Sequence, residues 1–112
     1  KKNRFPLALF PITLLVATAT HLYVGYNNAA GLELWRSTAP LPTQLADFEG
    51  ANGCPANLHA TSCAPLGGQG LGDATNNTRI FAGVVASFNG RDNVYLVSGS
   101  GNNGVRVVRI AE

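Results

Sequence analysis

The chain reads as a small α+β or mainly β protein, with an N-terminal transmembrane helix, a loop-rich middle holding one short helix, and a C-terminal three-stranded antiparallel β-meander. Three observations predict this. Residues 5–25 are an uncharged, largely apolar stretch directly behind Lys1, Lys2 and Arg4. The next fifty or so residues are punctuated by Pro40, Pro42, Pro55 and Pro65 and are rich in glycine and asparagine. From Ile80 onward β-branched residues alternate, interrupted by Asn89-Gly90 and by a glycine and asparagine loop. The corresponding segments are a signal-anchor helix over residues 1–26, a Pro/Gly-rich connector with a disulfide loop over 27–78, and the meander over 79–112.

The first segment follows from membrane physics. About 20 apolar residues at about 1.5 Å each match a hydrocarbon core of about 30 Å. The anchor residues are Phe5, Leu7, Leu9, Phe10, Pro11, Ile12, Leu14, Leu15, Val16, Leu22 and Tyr23. Pro11 should kink the helix, while His21, Tyr23 and Tyr26 suit the outer interface. A basic flank stays in the cytoplasm, so the reading is a single-pass membrane protein with its C-terminal domain periplasmic or extracellular. Ala17-Thr18-Ala19 also forms a small-x-small cleavage site, and cleavage after Ala19 would release a secreted module instead.

Charge excludes one class of partner. The net charge of +2 divides into +3 at the N-terminal flank and a near-balanced remainder, where five arginines stand against six acids. No basic face is available for nucleic acid.

In the connector, residues 43–49 are the best short helix, with Thr43 as cap, Leu45 and Phe48 on one face, and Gly50 as left-handed terminator. Trp35 packs in the core or at an interface. Cys54 and Cys63 close a short loop, and an exported chain meets an oxidising compartment, so a disulfide is expected. Adding His59 makes a three-ligand metal site, but a fourth ligand is missing and the spacing fits no common zinc module. No metal and no cofactor is expected. Residues 67–72 form a glycine-rich stretch without the strand and helix that phosphate binding requires, which leaves a flexible linker. Asn76-Asn77-Thr78 is a glycosylation sequon.

In the meander, Ile80, Ala82, Val84, Ala86 and Phe88 share one face of the first strand, and Phe81, Gly83 and Val85 the other. Asn89-Gly90 favours a tight hairpin to residues 94–97, and Val107-Val108 in the third strand suggests a bulge or burial on both sides. Three strands with two apolar faces cannot bury both alone, so a partner must cover what the connector does not. Partner-binding candidates are Trp35, Phe81, Val85, Tyr95, Val108 and Ile110.

A basic start, one anchor, a proline-rich connector and a β-rich end containing Phe81-Ala82-Gly83-Val84-Val85-Ala86 resemble the inner-membrane coupling proteins of bacterial type II secretion and type IV pilus machines. Short pilins are a second resemblance, through an apolar N-terminus, a disulfide loop and a β-meander. The resemblance implies a membrane-anchored structural subunit of an envelope complex, with protein subunits and the lipid bilayer as partners, and self-association compatible with it. No nucleophile–base pair or carboxylate pair stands out, so the chain is read as non-enzymatic. The alternative function is a secreted, disulfide-containing binding module.

Overall fold

A computed structural model describes residues 12–51 and 63–112, and these form two three-stranded antiparallel sheets. The first contains β1 (Ile12–Ala17), β2 (Leu22–Tyr26) and β3 (Glu33–Arg36), in that order. The second contains β4 (Arg79–Phe88), β5 (Arg91–Ser100) and β6 (Gly104–Ala111), again in chain order. The chain is mainly β, and the C-terminal meander is present as expected.

The expected N-terminal helix is corrected. Residues 12–26 turn back on themselves at residues 18–21, where the Thr18 N–H donates to the His21 carbonyl (2.9 Å), and β1 and β2 pair side by side. No helix among the described residues is long and apolar enough to cross a membrane. Of the anchor candidates, Leu14 and Tyr23 are buried against protein, Val16 and Leu22 are half-buried, and Ile12 and Leu15 are exposed. Phe5, Leu7, Leu9, Phe10 and Pro11 lie outside the described residues. The reason for the difference lies in both strands: β2 is covered on two faces and needs apolar residues at successive positions, while β1 carries the exposed apolar residues Ile12 and Leu15, so neither shows the alternation that distinguishes strand from span.

The sheet has two dissimilar coverings. On one face, Val24, Tyr26 and Trp35 form a cluster with Phe48 and Ala51, which the segment after β3 folds over them. That segment contains a single 3₁₀ turn, Leu45–Asp47, inside the span of residues 43–49 where a helix of one or two turns is expected. The Asp47 carboxylate holds it by accepting from the Thr43 and Gln44 backbone N–H groups at 2.9 and 3.2 Å. Gly50 is left-handed, at φ 76°, and a Cβ there would lie 1.8 Å from the Ala64 carbonyl oxygen. Only glycine tolerates both demands. Cys63 packs against this cluster, and no cysteine among the described residues is free. Cys54 and His59 lie outside the described residues.

The glycine-rich stretch is a built edge cover rather than a loose linker. Leu66 N–H donates to the Leu34 carbonyl and Gly70 N–H to the Leu32 carbonyl, both at 2.7 Å, while the Leu32 N–H donates to the Asn77 carbonyl at 2.9 Å. These bonds satisfy the free side of β3 and its approach.

On its other face the first sheet meets the second. Leu14, Tyr23, Leu32 and Leu34 pack with Ile80, Val94 and Leu96. The contact interlocks at two glycines: a Cβ on Gly83 would lie 2.3 Å from Leu14 Cδ1, and one on Gly25 would lie 2.6 Å from Ile80 Cδ1. Asn89 and Gly90 both have positive φ, 52° and 75°, which is the two-residue hairpin turn that the sequence indicates. The alternation read in β4 is corrected at its start. Phe81 is a bulge residue between Ile80 and Ala82, so Ile80 joins Gly83 and Val85 on the inner side, away from Val84. By contrast β6 pairs with β5 without a register shift, and Val107 and Val108 simply point to opposite faces.

The two sheets share one strand order and one pairing register. Val16, Tyr23 and Arg36 are direct cross-strand neighbours in the first, and Val84, Tyr95 and Arg109 in the second. Leu14, Gly25 and Leu34 correspond in the same way to Ala82, Val97 and Val107. Even the irregularity repeats: the register slips between Ile12 and Leu14, and again between Ile80 and Ala82. Asn27-Asn28 with Gly31 and Asn102-Asn103 with Gly104 then stand at matching turns between second and third strands.

Candidate functional site

Three surfaces merit consideration as sites. The first is polar and lies where the 18–21 turn meets the end of β6. There the Glu112 carboxylate accepts from Thr18 Oγ1 at 2.9 Å, Thr20 Oγ1 at 2.8 Å and Tyr23 OH at 2.6 Å, with His21 Nδ1 at 3.0 Å. Burial alone would push Glu112 up, but the donated hydrogen bonds of Tyr23, Thr18 and Thr20 and the charge of His21 outweigh it and hold the carboxyl below the usual range. The Tyr23 phenol moves the other way, raised to about 12 by burial and then by its bond to Glu112. Arg36 grips Glu49 with two hydrogen bonds, 2.7 Å from Nε and 2.9 Å from the terminal nitrogen, and this holds Glu49 below its usual value.

A groove of about 410 Å³ borders this cluster, lined by His21, Arg36, Arg91, Asp92 and Glu112 among others. His21, Arg36, Asp92 and Glu112 are already committed. Asp92 accepts from the Ala19 N–H at 2.8 Å and from the Ser87 hydroxyl, and both hydrogen bonds of the His21 ring fall on Nδ1. A histidine acting as a base needs a nucleophile on one nitrogen and an orienting group on the other. Here the carboxylate and the threonine hydroxyl share the same nitrogen, and the cluster is a clasp between the two sheets.

The second surface is a groove of about 620 Å³ at the opposite end, where the two matching turns lie together. Asn27, Asn28, Thr78, Asn102 and Asn103 line it with Arg79 as its ionisable group. Among the described residues no group of three or more metal-ligating side chains comes together.

The third surface is the outer face of the second sheet. Ala82, Val84, Tyr95, Val97 and Val107 surround a shallow depression of about 130 Å³. Val84 is 59 % and Val107 71 % exposed, and Phe81, Phe88 and Val105 are exposed around them. A contiguous apolar patch of this kind marks an interaction site more often than a bare surface. Edge-strand residue Arg109 is exposed beside Tyr95, while Arg106 reaches Asp73 at 3.5 Å.

The partner-binding candidates therefore divide. Phe81 and Tyr95 belong to the open face, whereas Trp35 is buried under the 37–51 segment, and Val85, Val108 and Ile110 face the first sheet. The sequence reading passed over Val84, Val97 and Val107. The bulge parts Phe81 from Val85, while Val84, Val97 and Val107 join Tyr95 on one face only through the cross-strand register; alternation with Tyr95 along β5 was the signal that could have found Val97.

Fold and surface together define a class: a two-sheet β module built from one repeated meander, with one apolar face open. No protein-family model, curated protein or solved structure matches the chain.

Proposed function

We propose that the chain is a non-enzymatic assembly module that works by packing the outer face of its second sheet on a partner protein. The observation that carries this is the contrast between Val84 and Val107, mostly exposed on that face, and Val94 and Leu96, fully buried on the opposite face of the same sheet. Burial of apolar area contributes roughly 25 cal/mol per Å², so a face of this composition gains most by being covered. The polar clasp supports the same reading, since Glu112 and Asp92 are spent on joining the two sheets and Arg36 on Glu49.

In this reading the module is exported, its Cys54 and Cys63 are joined, and it serves an envelope assembly of the kind that the secretion and pilus coupling proteins exemplify. Release by cleavage after Ala19 is the weaker alternative. It would remove β1 and with it Leu14, which fills the space over Gly83.

A photo-reactive residue tests the proposal. Placed at Val107 in cells of the source organism, it should cross-link to a discrete protein partner, whereas one placed at Leu41, 86 % exposed but off this face, should not. Equal labelling from both positions, or none from Val107, would sink the reading.

A further inference from the structure

The repeated register says what kind of surface the open face is built to meet. Within the chain, the face of the first sheet bearing Leu14, Tyr23 and Leu34 lies on the face of the second sheet bearing Val94 and Leu96. The equivalents of Leu14, Tyr23 and Leu34 in the second sheet are Ala82, Tyr95 and Val107, and these form the open face. The stacking is therefore head-to-tail: one kind of face meets the other kind, and the operation leaves an unused face of the first kind. Stacks of repeated units continue until a capping element ends them. The first sheet has such an element on its far side, where the 37–51 segment covers Val24 and Trp35. Among the described residues the second sheet has none on its outer face.

We propose that the outer face of β4–β6 is the docking site for a further three-stranded meander of this same kind, presented by its Val94-and-Leu96-type face. This rests on the assembly reading above and names its partner. Two details narrow the chemistry. Tyr23 and Arg36 sit cross-strand from each other, and the Tyr23 hydroxyl donates to a carboxylate at the end of the neighbouring sheet, that of Glu112. Tyr95 and Arg109 repeat that pair on the open face, so the incoming meander should end in a carboxylate that reaches Tyr95. Second, the knob-and-hole contact is altered. Leu14 projects over Gly83, but its counterpart Ala82 is small and leaves the depression, so the incoming unit should carry a larger apolar residue where this chain has Gly83. A second copy of the chain is a poorer occupant through its first sheet, because its Val24 and Trp35 face is already covered.

The experiment extends the full chain after Glu112 with a flexible Gly/Ser linker and a second copy of residues 79–112, carrying Gly83→Leu in that appended copy only. Methyl NMR with a soluble paramagnetic probe reports on the face. Docking should lower the relaxation enhancement at the first-copy Val84, Val97 and Val107 methyls to the level of buried Leu96. Val107→Glu in the first copy should restore the enhancement, while the same substitution in the appended copy should leave the protection intact. Tyr95→Phe with Arg109→Ala in the first copy should weaken it.

Undiminished enhancement in the extended chain overturns the inference, including where the appended meander does not fold, since three strands alone need this cover to order. Protection of the same methyls in the unextended chain as its concentration rises also overturns it, by making a second copy the occupant, yet leaves the assembly reading standing. A cross-link from Val107 to a partner with no such meander has the same consequence. If neither protection nor a cross-link is seen, both readings fall.

Discussion

The two sheets share strand order, register and bulge position, but differ in what lies on them. The first is enclosed at β2 and β3, with Val24 and Trp35 under the 37–51 segment on one side and Tyr23 and Leu34 against the second sheet on the other, while Leu15 on edge strand β1 stays exposed. Among the described residues the second is covered on one face only, with Val84 and Val107 left open. The same unit thus serves as an interior layer in one place and as a boundary in the other. The difference lies in the covering segments and not in the strands, so apolar content alone does not separate a core layer from a docking layer.

Substitutions break the comparison most sharply at its extremes. Trp35→Ala empties a fully buried site in the enclosed sheet and should cost about 3–5 kcal/mol in urea unfolding. Val107→Ala on the open face should change stability by less than about 0.5 kcal/mol. Equal losses would mean that the open face is covered within the chain itself.

At the junction of the two sheets the expected effect is intermediate. Gly83→Val places its Cβ 2.3 Å from the position of Leu14 Cδ1 and 3.1 Å from Leu96 Cδ2, so the layers must separate. Overpacking of this kind costs about 1–3 kcal/mol. The substitution should recover part of that loss when combined with Leu14→Ala, because the junction then holds a small residue where it held the large one. A double variant no better than the sum of the singles would show that Leu14 does not occupy the space over Gly83.

An effect confined to alkaline pH belongs to the first sheet. The Tyr23 phenol is raised from 10.0 to about 12, and burial pushes the Tyr26 phenol upward too, reinforced by its bond to Glu33. A raised phenol favours the folded state fully below the unfolded value and loses that contribution as pH climbs from about 10 through about 12. At roughly 1.4 kcal/mol per pH unit, the two-unit rise bounds the Tyr23 contribution at about 3 kcal/mol, which solvent screening at the hydroxyl reduces. Tyr23→Phe should flatten the fall of the urea midpoint across that window. An unchanged slope would place the alkaline transition elsewhere.

The sequence declared the hairpin at Asn89-Gly90 and the C-terminal meander because glycine and asparagine carry their backbone preferences locally. Residues 12–26 did not declare themselves, for a physical reason. Leu14 faces the second sheet, Val24 the 37–51 segment, and the intervening turn at residues 18–21 is made by threonine, alanine and histidine without proline or glycine. An apolar run with an inconspicuous turn has the pattern of a span. The candidate face was half legible: Phe81 and Tyr95 were picked out, but the bulge parts Phe81 from the inward Val85, and the β5–β6 register sets Val108 and Ile110 beside the buried Leu96 and Val94. The repeat stayed hidden because the loops of the two units differ in length, so that no fixed period runs along the chain; only cross-strand pairing brings Tyr23 with Arg36 and Tyr95 with Arg109 into correspondence.

The clasp at Glu112 has a consequence for the order of events during synthesis. Its partners Thr18, Thr20, His21 and Tyr23 emerge from the ribosome about ninety residues earlier, at sequence separations of 89 to 94. Strands β1 to β3 are therefore made long before the group that pins their first turn exists, and closing so large a loop is a slow step of high contact order. Until that closure the nascent chain carries an unfastened first hairpin.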